Sequence, residues 1–189
     1  MHPTIFATAI IKPLLRWVSR SVLRLRGWKV DYSGIEGVDK CVVIGAPHTS
    51  NWDLPYALML AFGADIPIYW MGKIQIFRFP FRHLMMWLGG IPVDRARSHN
   101  VVDAAIEQFN NQDQLFLVIA PEGTRSSVTQ WKSGFYHIAH GAQVPILLAF
   151  LDYSTKTAGI VRQYHTSGDI DKDLPEIQGF YQTILDRNQ

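Results

Sequence analysis

Disulfide and thiolate chemistry are the first things this sequence does without. One cysteine in 189 residues, Cys41, permits no internal disulfide and no cluster of thiol ligands. It sits in Cys41-Val42-Val43-Ile44, where it reads as buried strand filler rather than as a nucleophile. The chain also lacks a Gly-x-Ser-x-Gly turn and a phosphate-binding P-loop, so serine-hydrolase and nucleotide-hydrolase chemistry have no positive support. Repeats, low-complexity stretches and long linkers are missing as well, and the simplest organisation is one domain. At this length such a domain buries roughly 70% of its unfolded surface. His137 and His140 form His-x-x-His without a third ligand in sequence reach, and both read as last-turn residues before Gly141, so no metal is expected.

Acid is absent from residues 1–30, which carry Lys12, Arg16, Arg20, Arg24, Arg26 and Lys29. The net charge of +2 therefore hides a cationic head on a body where acids outnumber bases. Four of those cations recur every four residues and drift only about 40° per step on a helix. They form a basic stripe opposed by Ile10, Leu14, Leu15, Trp17, Val18, Val22 and Leu25. Such a helix lies in the plane of an anionic bilayer, or it packs on the body as an ordinary surface helix with Pro13 near its start or at a kink. Spanning is excluded for this head, whose uncharged stretch at residues 3–11 is far short of the roughly 20 residues required. Its charge follows the apolar stretch and no small-residue cleavage site is evident, which argues against a signal peptide. We expect a membrane-associating segment at 1–30 and the main folded domain at 31–189. The head suits nucleic acid in principle, but no nucleic-acid motif accompanies it and the body is acidic, so no such partner is expected.

Apolar, strand-like runs then alternate with helical ones. The strands predicted are 41–46, 67–71, 90–93, 115–120, 144–151 and 160–164. Helices are predicted at roughly 53–63, 75–88, 99–112, 132–140 and 174–187, with Ser98 capping the third and Gly141 following the fourth. Alternation of this kind implies an α/β fold: a single domain with a mostly parallel central sheet flanked by helices, plus the N-terminal amphipathic helix. In such sheets reactive groups gather beyond the carboxyl ends of the strands. His48 follows the first strand, Arg95 the third and Glu122 the fourth.

His48 and Asp53 are five residues apart, which puts them about 140° apart on a helix and on opposite faces of a strand. They meet only if Thr49-Ser50-Asn51 turns the chain. The plainer alternative is that Ser50, Asn51 or Asp53 merely caps the next helix, with Pro55 in its first turn. Arg95 ends Gly89-Gly-Ile-Pro-Val-Asp-Arg95, where its guanidinium is able to clamp a phosphate or to pair with Asp94. Glu122-Gly123-Thr124-Arg125 sets an acid, a hydroxyl and a guanidinium on one short turn, and Gly123 lets backbone N–H groups approach a ligand oxygen. Between residues 66 and 91, aromatic and methionine side chains alternate with Lys73, Arg78 and Arg82. That segment reads equally as an interfacial groove for an acyl chain or as a core helix.

In its ordered blocks the chain resembles the glycerolipid acyltransferases of the 1-acylglycerol-3-phosphate acyltransferase type. The blocks are His48-Thr-Ser-Asn-Trp-Asp53, Gly89-Gly-Ile-Pro-Val-Asp-Arg95, Pro121-Glu-Gly-Thr-Arg-Ser126 and Val144-Pro-Ile146. Lys73 with Pro80, Lys132-Ser-Gly134 and Ile138-Ala139 match in support, and the resemblance spans about residues 41–151. It implies His48 as general base on an acceptor hydroxyl and Asp53 as the carboxylate orienting the imidazole. Arg95, Glu122, Gly123, Thr124 and Arg125 would bind the glycerol phosphate of a lysophospholipid, with Lys73 as a further phosphate contact. The donor implied is an acyl-CoA or acyl-carrier-protein thioester, no cofactor is implied, and the enzyme would sit peripherally on the cytoplasmic face of an anionic membrane. Trp52 is bulkier than the residue many relatives carry, and Ala120 replaces the usual phenylalanine, which leaves the acceptor's identity open. The alternatives are another lyso-lipid acceptor, or a lipid-binding protein without catalysis.

Overall fold

A run of apolar residues such as Cys41 to Ile44 calls for a strand buried on both faces. The computed structural model, which describes residues 4–8, 11–48, 50–93, 99–123 and 130–186, puts that strand at the centre of the molecule. Strands β1 (Lys29–Asp31), β2 (Lys40–Gly45), β3 (Ile68–Lys73), β4 (Gly90–Val93), β5 (Leu115–Ile119), β6 (Ile146–Asp152) and β7 (Thr157–Tyr164) form one sheet. Their order is β1-β7-β6-β2-β5-β3-β4. All neighbours pair in parallel except β6 and β7, which form a hairpin.

Alternate residues of each strand feed opposite layers. On one face Val42, Ile44, Leu115, Leu117, Ile146 and Leu148 pack beneath helices α4 (His99–Asn111), α5 (Gly134–Ala142) and α6 (Ile170–Asp186). On the other, Cys41, Val43, Phe116 and Leu147 meet Ala61 and Phe62 of helix α2 (Asp53–Ala64) and the N-terminal Ile5 and Phe6. Cys41 is buried there, and burial pushes its thiol well up. The three-layer α/β architecture is the one the alternation predicted.

The N-terminal helix α1 (Ile11–Leu25) packs on α2, burying Ser19 and Leu23, with its cations along the rim of the contact. Lys12 Nζ and Arg16 Nη1 reach the Asp65 carboxylate at 2.8 and 3.1 Å, and Arg20 donates twice to the Gly63 carbonyl at 3.0 and 2.6 Å. Those acceptors lie at the carboxyl end of α2, where the helix dipole favours cations. Leu23, toward the other end of α1, is buried with Tyr56 and Leu60, so the two helices run in opposite directions. Leu14, Trp17, Val18 and Leu25 face outward.

Four expectations need correction. Strand β1 escaped the reading because three residues carry too short a pattern. The helix predicted over 75–88 is a 3₁₀ turn at Ile74–Phe77 followed by α3 (Arg82–Trp87). Pro80 removes an N–H and steers the residue before it away from helix, so one continuous helix cannot form. Of that segment only Phe77 is buried, stacked on Trp70, while Phe79 is 94% exposed. Gly141 does not end the fourth helix: α5 continues to Ala142, Gln143 takes the left-handed position, and a Cβ at 141 would meet Ile106. Helix α6 begins four residues earlier than expected, because the Asp169 carboxylate accepts the N–H groups of Asp171 and Lys172. Ser98 lies outside the described residues.

Candidate active site

Strands β2 and β5 are parallel neighbours, so the loops leaving their carboxyl ends emerge side by side. Beyond β2 the chain stays paired through Ala46, whose N–H reaches the Ala149 carbonyl. His48 comes next. Its backbone N–H donates to Glu122 Oε2 at 2.8 Å, tying the β2 loop to the β5 loop. Beneath them the buried Tyr181 hydroxyl of α6 lies 2.8 Å from the Ile44 carbonyl and 3.1 Å from that of Ala149, bridging β2 and β6 just under the site. Residues 165–189 have no role legible in the sequence, and within them Tyr181 braces this end of the sheet from below.

The turn from β2 into α2 folds on its own polar groups. The Ser50 hydroxyl accepts the Trp52 N–H, and Asp53 Oδ2 accepts the Ser50 N–H at 2.9 Å. Asp53 is the first residue of α2, where the helix dipole favours a negative charge. No side chain caps α2, whose N-cap is Trp52, so the capping reading gives way to the dyad: the carboxylate oxygen that closes the turn lies 2.7 Å from His48 Nδ1. With Nδ1–H donating to Asp53, the lone pair of the neutral ring is on Nε2. The imidazole remains 29% exposed while the carboxylate is nearly enclosed. Burial alone would raise the Asp53 carboxyl, but hydrogen bonds from His48, Tyr153 and the Ser50 N–H outweigh it and hold the group below the ordinary range. Glu122 moves the other way: burial raises it, the Asp53 charge adds to that, and the His48 N–H only partly offsets the two.

Tyr153 is the site residue the sequence did not reveal. Its hydroxyl donates to Asp53 Oδ1 at 2.7 Å from the β6–β7 hairpin turn, 100 positions away in the chain. The only local signal is Asp152-Tyr-Ser-Thr, which marks a turn and nothing more.

Gly123 takes φ 63 just after Glu122, a left-handed conformation that favours glycine. Lys73 ends β3, exposed on the same sheet edge and two strands from β2. The structure therefore brings together His48, Asp53 and Glu122, with Gly123 adjoining and Lys73 farther along. Arg95, Thr124 and Arg125 lie outside the described residues. Two further sequence blocks have packing roles: the Pro145 carbonyl accepts the Val42 N–H, and Ile138 and Ala139 are core. His140 stacks on Tyr136 and pairs with the Thr166 hydroxyl. Among the described residues no group of three His, Cys, Asp or Glu side chains is arranged to hold a metal ion.

A base held by a carboxylate, opening at the carboxyl edge of a parallel sheet, is equipped to take a proton from an alcohol. Comparison with known proteins bears on the family and the fold. A family model described as Acyltransferase matches residues 29–148. Among solved structures the chain is similar to the 1-acyl-sn-glycerophosphate (LPA) acyltransferase PlsC from Thermotoga maritima. The TM-score is 0.64 at 17% identity, over 94% of this chain and 79% of that one. A comparison with curated protein sequences gives no match.

Proposed function

The chain belongs to the acyltransferase family, and from that premise we propose that it moves a fatty acyl group from a thioester to the hydroxyl of a lysophospholipid. The acceptor in this reading is 1-acylglycerol-3-phosphate, the substrate named for the Thermotoga maritima protein of similar fold. The donor is an acyl-CoA or acyl-carrier-protein thioester, and no cofactor takes part. His48 Nε2 accepts the hydroxyl proton as the acceptor oxygen attacks the thioester carbonyl. The C–O bond forms, the tetrahedral intermediate collapses with cleavage of the C–S bond, and the imidazolium returns its proton to the departing thiolate. Asp53 keeps the proton on Nδ1 and stabilises the imidazolium. No acyl-enzyme forms, since the attacking oxygen belongs to the acceptor. A thioester leaves readily, so a general base and good positioning suffice.

Arg95, Thr124, Arg125, Gly123 and Lys73 bind the glycerol phosphate in this reading. Glu122 joins them while its Oε2 holds the His48 N–H. The enzyme works peripherally on the cytoplasmic face of a membrane. Support comes from apolar side chains left in the open: Trp17 and Leu25 on α1, Trp52 at the site turn, and Ile74, Ile76, Phe79 and Phe81 after β3. No described helix is long and apolar enough to cross a membrane.

The 2.7 Å contact between His48 Nδ1 and Asp53 Oδ2 carries the catalytic reading. His48→Ala is expected to lower transfer by roughly 10²–10⁴-fold with the fold intact. Labelled acyl-CoA and acyl-carrier-protein, offered with a panel of lyso-acceptors and followed by lipid analysis, give the measurement. Full activity in that variant would end the mechanism, and labelling of a different lyso-lipid would replace the acceptor.

A further inference from the structure

Asp53 has two carboxylate oxygens, and they serve different partners. Oδ2 takes the His48 ring and the Ser50 N–H, while Oδ1 takes the Tyr153 hydroxyl. We propose that Tyr153 is a positioning residue for the transfer reaction, holding Asp53 by Oδ1 so that Oδ2 stays on His48 Nδ1. The proposal rests on the His48–Asp53 mechanism given above.

The terminal torsion of an aspartate is broad and two-fold, so bonds to Oδ2 alone leave room for the carboxylate to rock about that oxygen. Anchoring the second oxygen removes that freedom. The anchor is itself braced. Asp152, 6% exposed, accepts the Ser154 N–H and hydroxyl through Oδ1 and the Thr155 hydroxyl through Oδ2, which sets the hairpin turn carrying Tyr153. The Tyr153 ring stands edge-on to Trp28 at 5.5 Å and to Tyr56 at 5.6 Å. Trp28 follows α1 and Tyr56 belongs to α2, so three elements converge on one phenol. Burial, together with the charge it bonds, raises the Tyr153 hydroxyl well above a free phenol and keeps it a donor throughout the working range. A ring present only for packing would need no hydroxyl aimed at the one carboxylate that meets the base.

Tyr153→Phe removes that oxygen, and with it the bond to Asp53 and a contact with the Ser50 side chain. The titratable described groups around the pair are Asp53, Glu122, Tyr56 and Tyr153 itself. Relieved of one donor, the Asp53 carboxylate attracts an imidazolium more strongly, so the acid limb of kcat/KM moves to higher pH. We expect kcat to fall about tenfold as the ring loses its alignment, with acceptor KM changing less than about twofold. In the resting protein, NMR titration of the His48 ring signals should be displaced to higher pH in the variant. Wild-type rate and titration in Tyr153→Phe overturn the proposal, and so does a slower variant whose pH profile and ring titration are unmoved. His48→Ala run alongside separates the two readings. If it is inactive while Tyr153→Phe behaves as wild type, only the positioning role fails. If it is active, the mechanism beneath fails and takes this role with it.

Discussion

Among the described residues each buried carboxylate is crowded by donors, and Asp173 is the fullest case. It is 1% exposed and accepts hydrogen bonds from the Tyr136 and Tyr164 hydroxyls and from both the N–H and the hydroxyl of Ser167. Burial would raise this carboxyl, yet those donors lie close enough to lower it. A group depressed in the folded state adds stability above its unfolded value, about pH 4, and loses that contribution as pH falls through the folded value. Asp173→Asn should therefore cost about 2–3 kcal/mol near neutrality, the scale of hydrogen bonds to a charge, and should flatten the acid side of the stability curve. Urea denaturation at several pH values measures both. None of this could be read from the sequence, because the partners are scattered over Tyr136, Tyr164 and Ser167 and only folding gathers them. His48 and Asp53 were legible for the opposite reason: five residues and a turn join them, and their chemistry is local. Tyr153 was hidden like Asp173, a phenol in a hairpin with nothing nearby to mark its partner.

Helix α1 shows what periodicity does and does not tell. Its two faces were plain in the sequence, but period alone cannot say which one turns inward. Neither does so wholly: Ser19 and Leu23 are buried, and Lys12, Arg16 and Arg20 reach Asp65 and Gly63 from the flank. Those contacts are partly solvated, and exposed ion pairs contribute only about 0–1 kcal/mol each. Leu23 is 3% exposed, and truncating such a residue costs about 2–5 kcal/mol. Leu23→Ala should thus lower the melting temperature clearly more than Asp65→Ala, and only the Asp65 effect should shrink in high salt. A larger loss from Asp65→Ala than from Leu23→Ala, by thermal unfolding, would show that charge rather than burial docks α1. The strands were legible because β-branched runs such as Val42 to Ile44 are hard to hide. The 75–88 stretch misled because its apolar character masked the break at Pro80.

At the scale of the molecule, the apolar side chains in the open among the described residues gather along α1, in the turn after β2 and from the end of β3 into α3. Since Lys12, Arg16 and Arg20 already have partners on α2, membrane adhesion should depend more on these apolar groups than on charge. Trp17→Glu and Phe79→Glu are expected to weaken co-sedimentation with anionic liposomes severalfold, more than raising the salt does, because each loses buried apolar area. Substitution is a better probe than deleting residues 1–26, which would strip Leu23 from the core. Binding unchanged in both variants would mean that these side chains do not reach lipid.

The two outermost strands are only three and four residues long, and β4 contains Pro92, which has no N–H to offer. At these two strands a neighbouring copy therefore finds only a short ladder to extend. Crowded side by side on a lipid film, such proteins have little means of zipping into fibrils.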